Sequence, residues 1–205
     1  MNHFPQKKIL CITGNIGSGK STTLEIFREF GAEIINSDAI VSGLLESDSG
    51  IQKQLVSCLG QQILANGKID KKKVAEIVFA DTSRLTQLNS IIHPEVFKTA
   101  SKIIECSSAK LVAWEIPLLF ETGMQNKCNY TLTVVANNPV AQMRLQKNRN
   151  FSTAEFLARK SKQMDPEQQK SLSDFVIYND NSIEELRNSC KKVYTAIIKN
   201  TKDLQ

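Results

Sequence analysis

Short apolar runs alternate along this chain with longer stretches whose apolar positions recur every three or four residues, the pattern of strands followed by amphipathic helices. Ile9-Leu-Cys-Ile-Thr13 is the first run, and Leu24, Ile26, Phe27 and Phe30 follow at helical spacing until Gly31. Ala32-Glu-Ile-Ile-Asn-Ser37 reads as a second, shorter strand. From Ile40 to about Glu105 the pattern is helical: Leu44, Leu45, Ile51, Leu55, Leu59 and Ile63 are spaced for buried faces. A turn follows at Asn66-Gly67, then Val74, Ile77, Val78, Leu85, Leu88, Ile91 and Ile92, with His93-Pro94 interrupting the last stretch. Leu111-Val-Ala-Trp-Glu-Ile-Pro-Leu-Leu-Phe120 reads as a central strand ending at Pro117, Tyr130 to Ala136 as another and Asp174 to Asn179 as the last, before Ser182-Ile-Glu-Glu185 opens a terminal helix as a capping box. The order indicates an α/β protein with about five parallel strands flanked by helices. The segment between residues 40 and 105 is too long for a strand connection and reads as an all-helical insertion, a place where binding function concentrates.

The turn after the first strand carries chemistry. Gly14-Asn-Ile-Gly-Ser-Gly-Lys20-Ser21 has the spacing of a phosphate-binding loop, or P-loop, whose glycines let successive amides point at a polyphosphate with no side chain in the way. A Gly-rich turn without function is the plainer alternative, but the strand before the motif and the helix after it are the context a true cradle requires. The expected contacts to ATP are Gly14, Asn15, Ile16, Gly17, Ser18, Gly19, Lys20, Ser21 and Thr22. Lys20 is expected at the β- and γ-phosphates and Ser21 as a Mg²⁺ ligand, with the helix N-terminus directed at the anion.

Composition narrows the classes without adding a function. The 205 residues suffice for one compact α/β unit with insertions, and 41% hydrophobic with 23% charged residues is ordinary for a globular protein. The formal charge of +5 is spread along the chain, so polyanionic small molecules are expected as partners and nucleic acid is not. Cys11, Cys58, Cys106, Cys128 and Cys190 are odd in number and never spaced Cys-x-x-Cys, which indicates neither a disulfide framework nor a zinc site and favours a reducing cytoplasm. No apolar run approaches the roughly 18 residues of a membrane span, and no export signal precedes the first strand.

Three further features bear on function. Asp38 stands just past the second strand, where open α/β sheets place ligands, but an Asp there also caps helices, and position alone does not separate the two roles. His93, before a proline, is more often a packed structural residue than a catalyst. Between Arg144 and Lys170 the balance turns basic, with Arg144, Lys147, Arg149, Arg159, Lys160, Lys162 and Lys170 against Glu155, Asp165 and Glu167. A solvated helical face is the plain reading, while arginines beyond the fourth strand of a P-loop protein suit a lid that closes over phosphates. The place of a guanine-reading Asn-Lys-x-Asp is taken by Ala136-Asn-Asn-Pro139, which argues against a switch GTPase. A motor ATPase would show an acidic strand end where Ile116-Pro117 stands, although Glu115 is adjacent. A small-molecule kinase accounts better for cradle, carboxylate, acceptor insertion and Arg-bearing segment together.

Over nearly its whole length the chain resembles the dephospho-CoA kinase family. The resemblance rests on Thr13-Gly-Asn-Ile-Gly-Ser-Gly-Lys-Ser21, Asn36-Ser-Asp38, Gly67-Lys-Ile-Asp70 with Val78-Phe79, Leu88-Asn with His93-Pro94, Pro117-Leu-Leu-Phe-Glu121, Arg144-Leu with Arg149, Arg159 with Gln163-Met164, and Asp174 to Asn179. It implies a P-loop kinase core (1–40, 106–142 and 172–205), a helical acceptor domain (41–105) and a helical lid (143–171). It implies ATP with Mg²⁺ as cofactors and dephospho-CoA as acceptor, phosphorylated on its ribose 3′-hydroxyl in a cytoplasmic monomer or weak homo-oligomer. Residue by residue, Asp38 is implied as the carboxylate that orients or deprotonates the acceptor, Lys20, Arg144 and Arg149 as the charges on the transferring phosphoryl, and Thr13, His93, Pro117 and Leu118 as acceptor contacts. The chain departs from the family pattern at Asn15, at Asn36-Ser37, at Ser42 where a basic residue is common, at Asn150 and at Asn181. Another small-molecule kinase, of nucleoside or shikimate type, is the alternative.

Overall fold

Four consecutive side chains without exposed surface, Ile9, Leu10, Cys11 and Ile12, require a strand covered on both faces. In the computed structural model, which describes residues 7–149 and 163–199 and omits the side chains of Phe79 and 147–149, that strand is the middle of a parallel sheet. In chain order the elements are β1 (Lys8–Thr13), α1 (Lys20–Glu29), β2 (Glu33–Asn36), α2 (Ser37–Ser47), α3 (Ser49–Leu59), β3 (Leu64–Ala65), β4 (Lys68–Ile69), α4 (Lys71–Ala80) and α5 (Thr82–Cys106). They continue with β5 (Leu111–Glu115), β6 (Tyr130–Val135), α6 (Asn138–Arg149), α7 (Pro166–Leu172), β7 (Phe175–Tyr178) and α8 (Ile183–Lys199). The five-stranded sheet has the order β2-β5-β1-β6-β7. Its register sets Cys11 beside Trp114 of β5 and Thr131 of β6, so the expected parallel sheet of about five strands is present.

Two compact units are distinguished, one comprising the chain to Asn36 and from Ile104 onward, the other Ser37–Ile103. In the first unit, Leu24 and Phe27 of α1 share a core with Leu10 and Ile12 of β1 and with Leu186, Cys190, Val193 and Ile197 of α8. Each fully buried Leu, Ile or Phe there contributes about 1.5–3 kcal/mol. Ser182 caps the helix, its Oγ accepting the Glu185 amide at 3.2 Å and donating to the Glu185 carboxylate at 3.3 Å. Two adjacent lysines close helix C-termini, Lys7 on the carbonyls of Ile104, Glu105 and Ser107 and Lys8 on those of Ile197 and Ile198. A cation there meets both orphan carbonyls and the negative end of the helix dipole.

The second unit departs from the sequence pattern in two ways. The insertion is not wholly helical, because Asn66 (φ 52°) and Gly67 (φ 75°) are both left-handed and close a two-residue hairpin between β3 and β4. Nor does His93-Pro94 interrupt α5, which runs through Pro94 for 25 residues. Proline removes one backbone hydrogen bond, but Ile92, Val96 and Ala100 form one buried face across it, and keeping that face continuous outweighs the lost bond. Aspartates supply the helix starts: Asp48 accepts the amides of Gly50 and Ile51, Asp70 those of Lys72 and Lys73, and Asp81 those of Ser83 and Arg84.

Cysteine spacing indicates no disulfide, yet Cys11 and Cys128 are joined, with Cα atoms 5.9 Å apart at a sequence separation of 117. The pairing follows from sheet order, which brings the approach to β6 beside β1, and no linear spacing encodes that. Cys106 is exposed and Cys190 is buried, and burial pushes the Cys190 thiol up to about 12. Because the thiolate is the nucleophile, iodoacetamide at pH 8 should label Cys106 in the native protein and spare Cys190 until urea is added. Peptide mass mapping checks this, and fast labelling of native Cys190 would contradict the packing of α8.

Candidate active site

The P-loop begins where β1 ends. Thr13 is fully buried, and its hydroxyl donates to the Pro117 carbonyl at 3.3 Å, tying the loop after β5 to the strand below. Gly14 (φ 138°) is pressed so closely on β6 that a Cβ would lie 2.1 Å from the Val134 carbonyl oxygen. Gly19 (φ 94°) leaves the space that Asn179 fills, a Cβ there falling 2.2 Å from Asn179 Nδ2. The glycines serve the loop's packed back as much as its ligand side. Lys20 Nζ donates to the carbonyls of Gly14 at 2.8 Å and Asn15 at 3.1 Å, which fixes the ammonium across the loop. Helix α1 has Gly19 at its N-cap, no side-chain cap and no acidic residue in its first turn, so its amides meet no competing anion of their own helix. Asn15 Oδ1 and Ser18 Oγ are buried without a partner among the described residues. Amides at a helix start, an ammonium and the Ser18 hydroxyl, each able to donate, suit a polyphosphate.

Ser21, exposed on the first turn of α1, donates to Glu115 Oε1 at 3.4 Å. Glu115 closes β5 with only 4% of its surface exposed, and its other oxygen accepts Asn36 Nδ2 at 2.8 Å. A hydroxyl beside a buried carboxylate fits a hard divalent cation, which takes one or two protein oxygens and completes its shell with water and phosphate. The sequence does carry a signal for Glu115, a single acid closing a buried apolar strand, but one position earlier than a motor ATPase pattern places it. Asn36 gives no such signal, because its role appears only once β2 is paired outside β5.

Arg144 of α6 is not a free cation. Its guanidinium donates to the Asn179 carbonyl at 2.8 Å and to Asn179 Oδ1 at 3.4 Å, and Asn179 Nδ2 donates in turn to the Ser18 carbonyl of the P-loop at 2.8 Å. Gln163 also reaches the loop, its Oε1 accepting the Ile16 amide at 2.9 Å, while the next residue, Met164, donates its amide to Glu121 at 2.8 Å. Asn179 and Gln163 belong to recognisable stretches of sequence, but nothing in the linear pattern aims them at the P-loop.

The first unit thus brings together Gly14, Asn15, Ile16, Gly17, Ser18, Gly19, Lys20, Ser21, Thr22 and Arg144, with Thr13 and Pro117 joined beneath them. Leu118, beside Pro117, is 39% exposed. Asp38 and His93 belong to the second unit. Asp38 is exposed, inside the first turn of α2 and two residues past the end of β2. His93 is exposed on α5, where its neighbours desolvate the ring enough to hold its pKa below the usual histidine value. Arg149 ends α6 with its side chain outside the described residues, as are Asn150, Arg159, Lys160 and Lys162 of the expected lid.

The family model for dephospho-CoA kinase matches residues 8–185. A dephospho-CoA kinase from Leptospira interrogans is 38% identical over 192 residues, 93% of each chain. Among solved structures, a protein from Thermus thermophilus superposes with a TM-score of 0.83 at 32% identity, covering 96% of this chain and 98% of its own. A dephospho-CoA kinase from Campylobacter jejuni gives 0.67 at 27%, covering 95% and 98%.

The contact behind Gly14 is with backbone, which has no room to yield. Gly14→Ala should therefore destabilise the protein clearly more than Gly31→Ala, which shares a positive φ (88°) but meets nothing within 4 Å. The Gly31 control should lose about 1–2 kcal/mol, the cost of a left-handed L-residue. Urea unfolding of both variants compares them, and equal losses would mean that β6 does not confine the loop.

Proposed function

The chain belongs to the dephospho-CoA kinase family, and from that premise we propose how its residues divide the transfer of the ATP γ-phosphoryl group to the ribose 3′-hydroxyl of dephospho-CoA, the step that completes coenzyme A. The observation that carries the assignment of the site is the P-loop itself, with Lys20 bonded across its carbonyls and an uncapped helix behind it. ATP lies along the amides from Gly14 to Thr22. Ser21 and Glu115 would hold Mg²⁺, which would neutralise negative charge on the nucleotide's phosphates. Lys20 and Arg144 face the negative charge of the phosphates, joined by Arg149.

Asp38 takes the proton of the 3′-hydroxyl. Its place inside the first turn of α2 supports this, since a capping aspartate stands one residue before the turn it caps, as Asp48 and Asp70 do. Pro117 and Leu118 lie on the acceptor side, Thr13 supporting them from below through the Pro117 carbonyl, and His93 belongs to an acceptor region within residues 41–105. The enzyme acts in the cytoplasm as a monomer or weak homo-oligomer. Among the described residues no helix is long and apolar enough to cross a membrane.

A coupled assay of ADP release, run with and without dephospho-CoA, tests the reaction; release that ignores the acceptor would overturn it. Lys20→Ala should keep the fold and lose phosphoryl transfer, by circular dichroism and turnover. Asp38→Asn should leave ATP binding nearly intact and lower kcat by about 10²–10⁴, the usual contribution of a general base. An unchanged rate would return Asp38 to the surface of α2. Glu115→Gln should raise the Mg²⁺ needed for half-maximal rate by about 10–100-fold, as loss of a metal-orienting group does, with ATP affinity in EDTA unchanged; an unaltered Mg²⁺ titration would remove Glu115 from the cation site.

A further inference from the structure

We propose that Asn179 is a positioning residue for phosphoryl transfer, fixing the Arg144 guanidinium and the P-loop in one geometry; the proposal rests on the site assignment above. Asn179 is 5% exposed and stands one residue beyond β7. Its backbone amide donates to the Val135 carbonyl at 2.7 Å, so the chain leaves the sheet in register without help from the side chain. The side chain is directed elsewhere. Nδ2 donates to the Ser18 carbonyl, within the P-loop, and Oδ1 with the residue's own carbonyl receives the two terminal nitrogens of Arg144. The amide nitrogen occupies the room that Gly19 leaves by having no Cβ, and Arg144 Nη1 lies 3.9 Å from that same Cβ position. One carboxamide therefore contacts the last turn of the phosphate loop and the arginine beside it.

The following residue extends the device. Asp180 Oδ1 accepts the Asn137 amide at 2.6 Å, and Asn137 Oδ1 accepts the Val140 amide at 3.0 Å at the start of α6, the helix that carries Arg144. The turn after β7 thus holds the helix at its start and the arginine at its tip. The 2.8 Å bond from Arg144 goes to the backbone carbonyl and is open to any residue, whereas the side chain adds the 3.4 Å contact at Oδ1 and the bond from Nδ2 to Ser18, a pairing that needs a donor and an acceptor at once, as a carboxamide has. Aspartate retains the attraction for Arg144 but turns an oxygen toward the Ser18 carbonyl, leaving two buried acceptors face to face.

Displacing a fixed charge by about 1 Å costs roughly 10²-fold in rate. Wild-type enzyme with dephospho-CoA-dependent ADP release is the starting point, and its absence would count against the assigned reaction and not against Asn179. Asn179→Ala and Asn179→Asp should each lower kcat/KM for ATP by about 10–100-fold while thermal unfolding shifts by only a few degrees. The decisive reading is the pairing with Arg144. In an Arg144→Ala background, Asn179→Ala should cost less than about 3-fold further, since the group it places is gone; a loss that simply multiplies would overturn the proposal. Guanidinium ion added to Arg144→Ala should restore part of the rate where methylammonium does not, and should fail once Asn179 is also Ala. Should the Asn179 variants not fold, the first half of that rescue still decides, because equal rescue by both cations would show that no fork-shaped site for a guanidinium exists there.

Discussion

Parallel pairing is the constraint from which the site follows. All pairings in the central sheet are parallel, so each strand delivers its C-terminal end to the same edge, and the chain order β2-β5-β1-β6-β7 puts β1 in the middle. The P-loop leaves from that middle strand. Around it stand Asn36 at the end of β2, Glu115 at the end of β5, the Val134 carbonyl of β6 beneath Gly14, and Asn179 just past β7. Polar groups far apart in sequence meet here because the strands are buried and leave only their ends to carry them.

Burial decides how well those polar groups hold one another. Glu115 and Asn179 are both almost wholly covered, and both spend their side chains on hydrogen bonds to neighbouring strand ends or to the P-loop. Such groups are costly to bury unpaired and stiff once paired. Glu115 joins Ser21 of α1 to Asn36 of β2, while Asn179 joins Ser18 to Arg144 of α6. The phosphate loop is thereby tied on both sides, toward β2 by a carboxylate and toward β7 by a carboxamide, and its backbone is braced from behind by β6. Binding energy from a nucleotide need not be spent on ordering it.

Much of this is legible in the sequence alone. The P-loop, the strands and the Asn66-Gly67 turn are local patterns, and local patterns survive folding: periodicity and turn chemistry act within a few residues. What the sequence conceals is what depends on lateral neighbours. Pro94 looks like an interruption because its backbone defect is local, whereas the compensating face of Ile92, Val96 and Ala100 is assembled only in the packed unit. The Cys11–Cys128 bond and the Asn36–Glu115 hydrogen bond both link elements that sheet order makes adjacent. Glu115 falls between these cases, since an acid at the end of an apolar strand is visible, but its partners are not.

Arg144 shows the consequence for catalysis. Read from sequence, it is one of several cations in a basic segment, a solvated helical face or a lid that closes over phosphates. In the structure its guanidinium is half-buried and already bonded to Asn179, beside Gly19. An arginine held this way has lost much of its rotamer freedom during folding, so the position of its charge is set by the fold. Fixed charges stabilise a transition state better than mobile ones because nothing has to reorganise as the phosphoryl group moves. A lysine at 144 would keep the charge and lose the planar fork that engages carbonyl and carboxamide together. Arginine therefore suits position 144 on its far side, through the carbonyl and carboxamide of Asn179 that engage it, as much as on the side proposed to face phosphate.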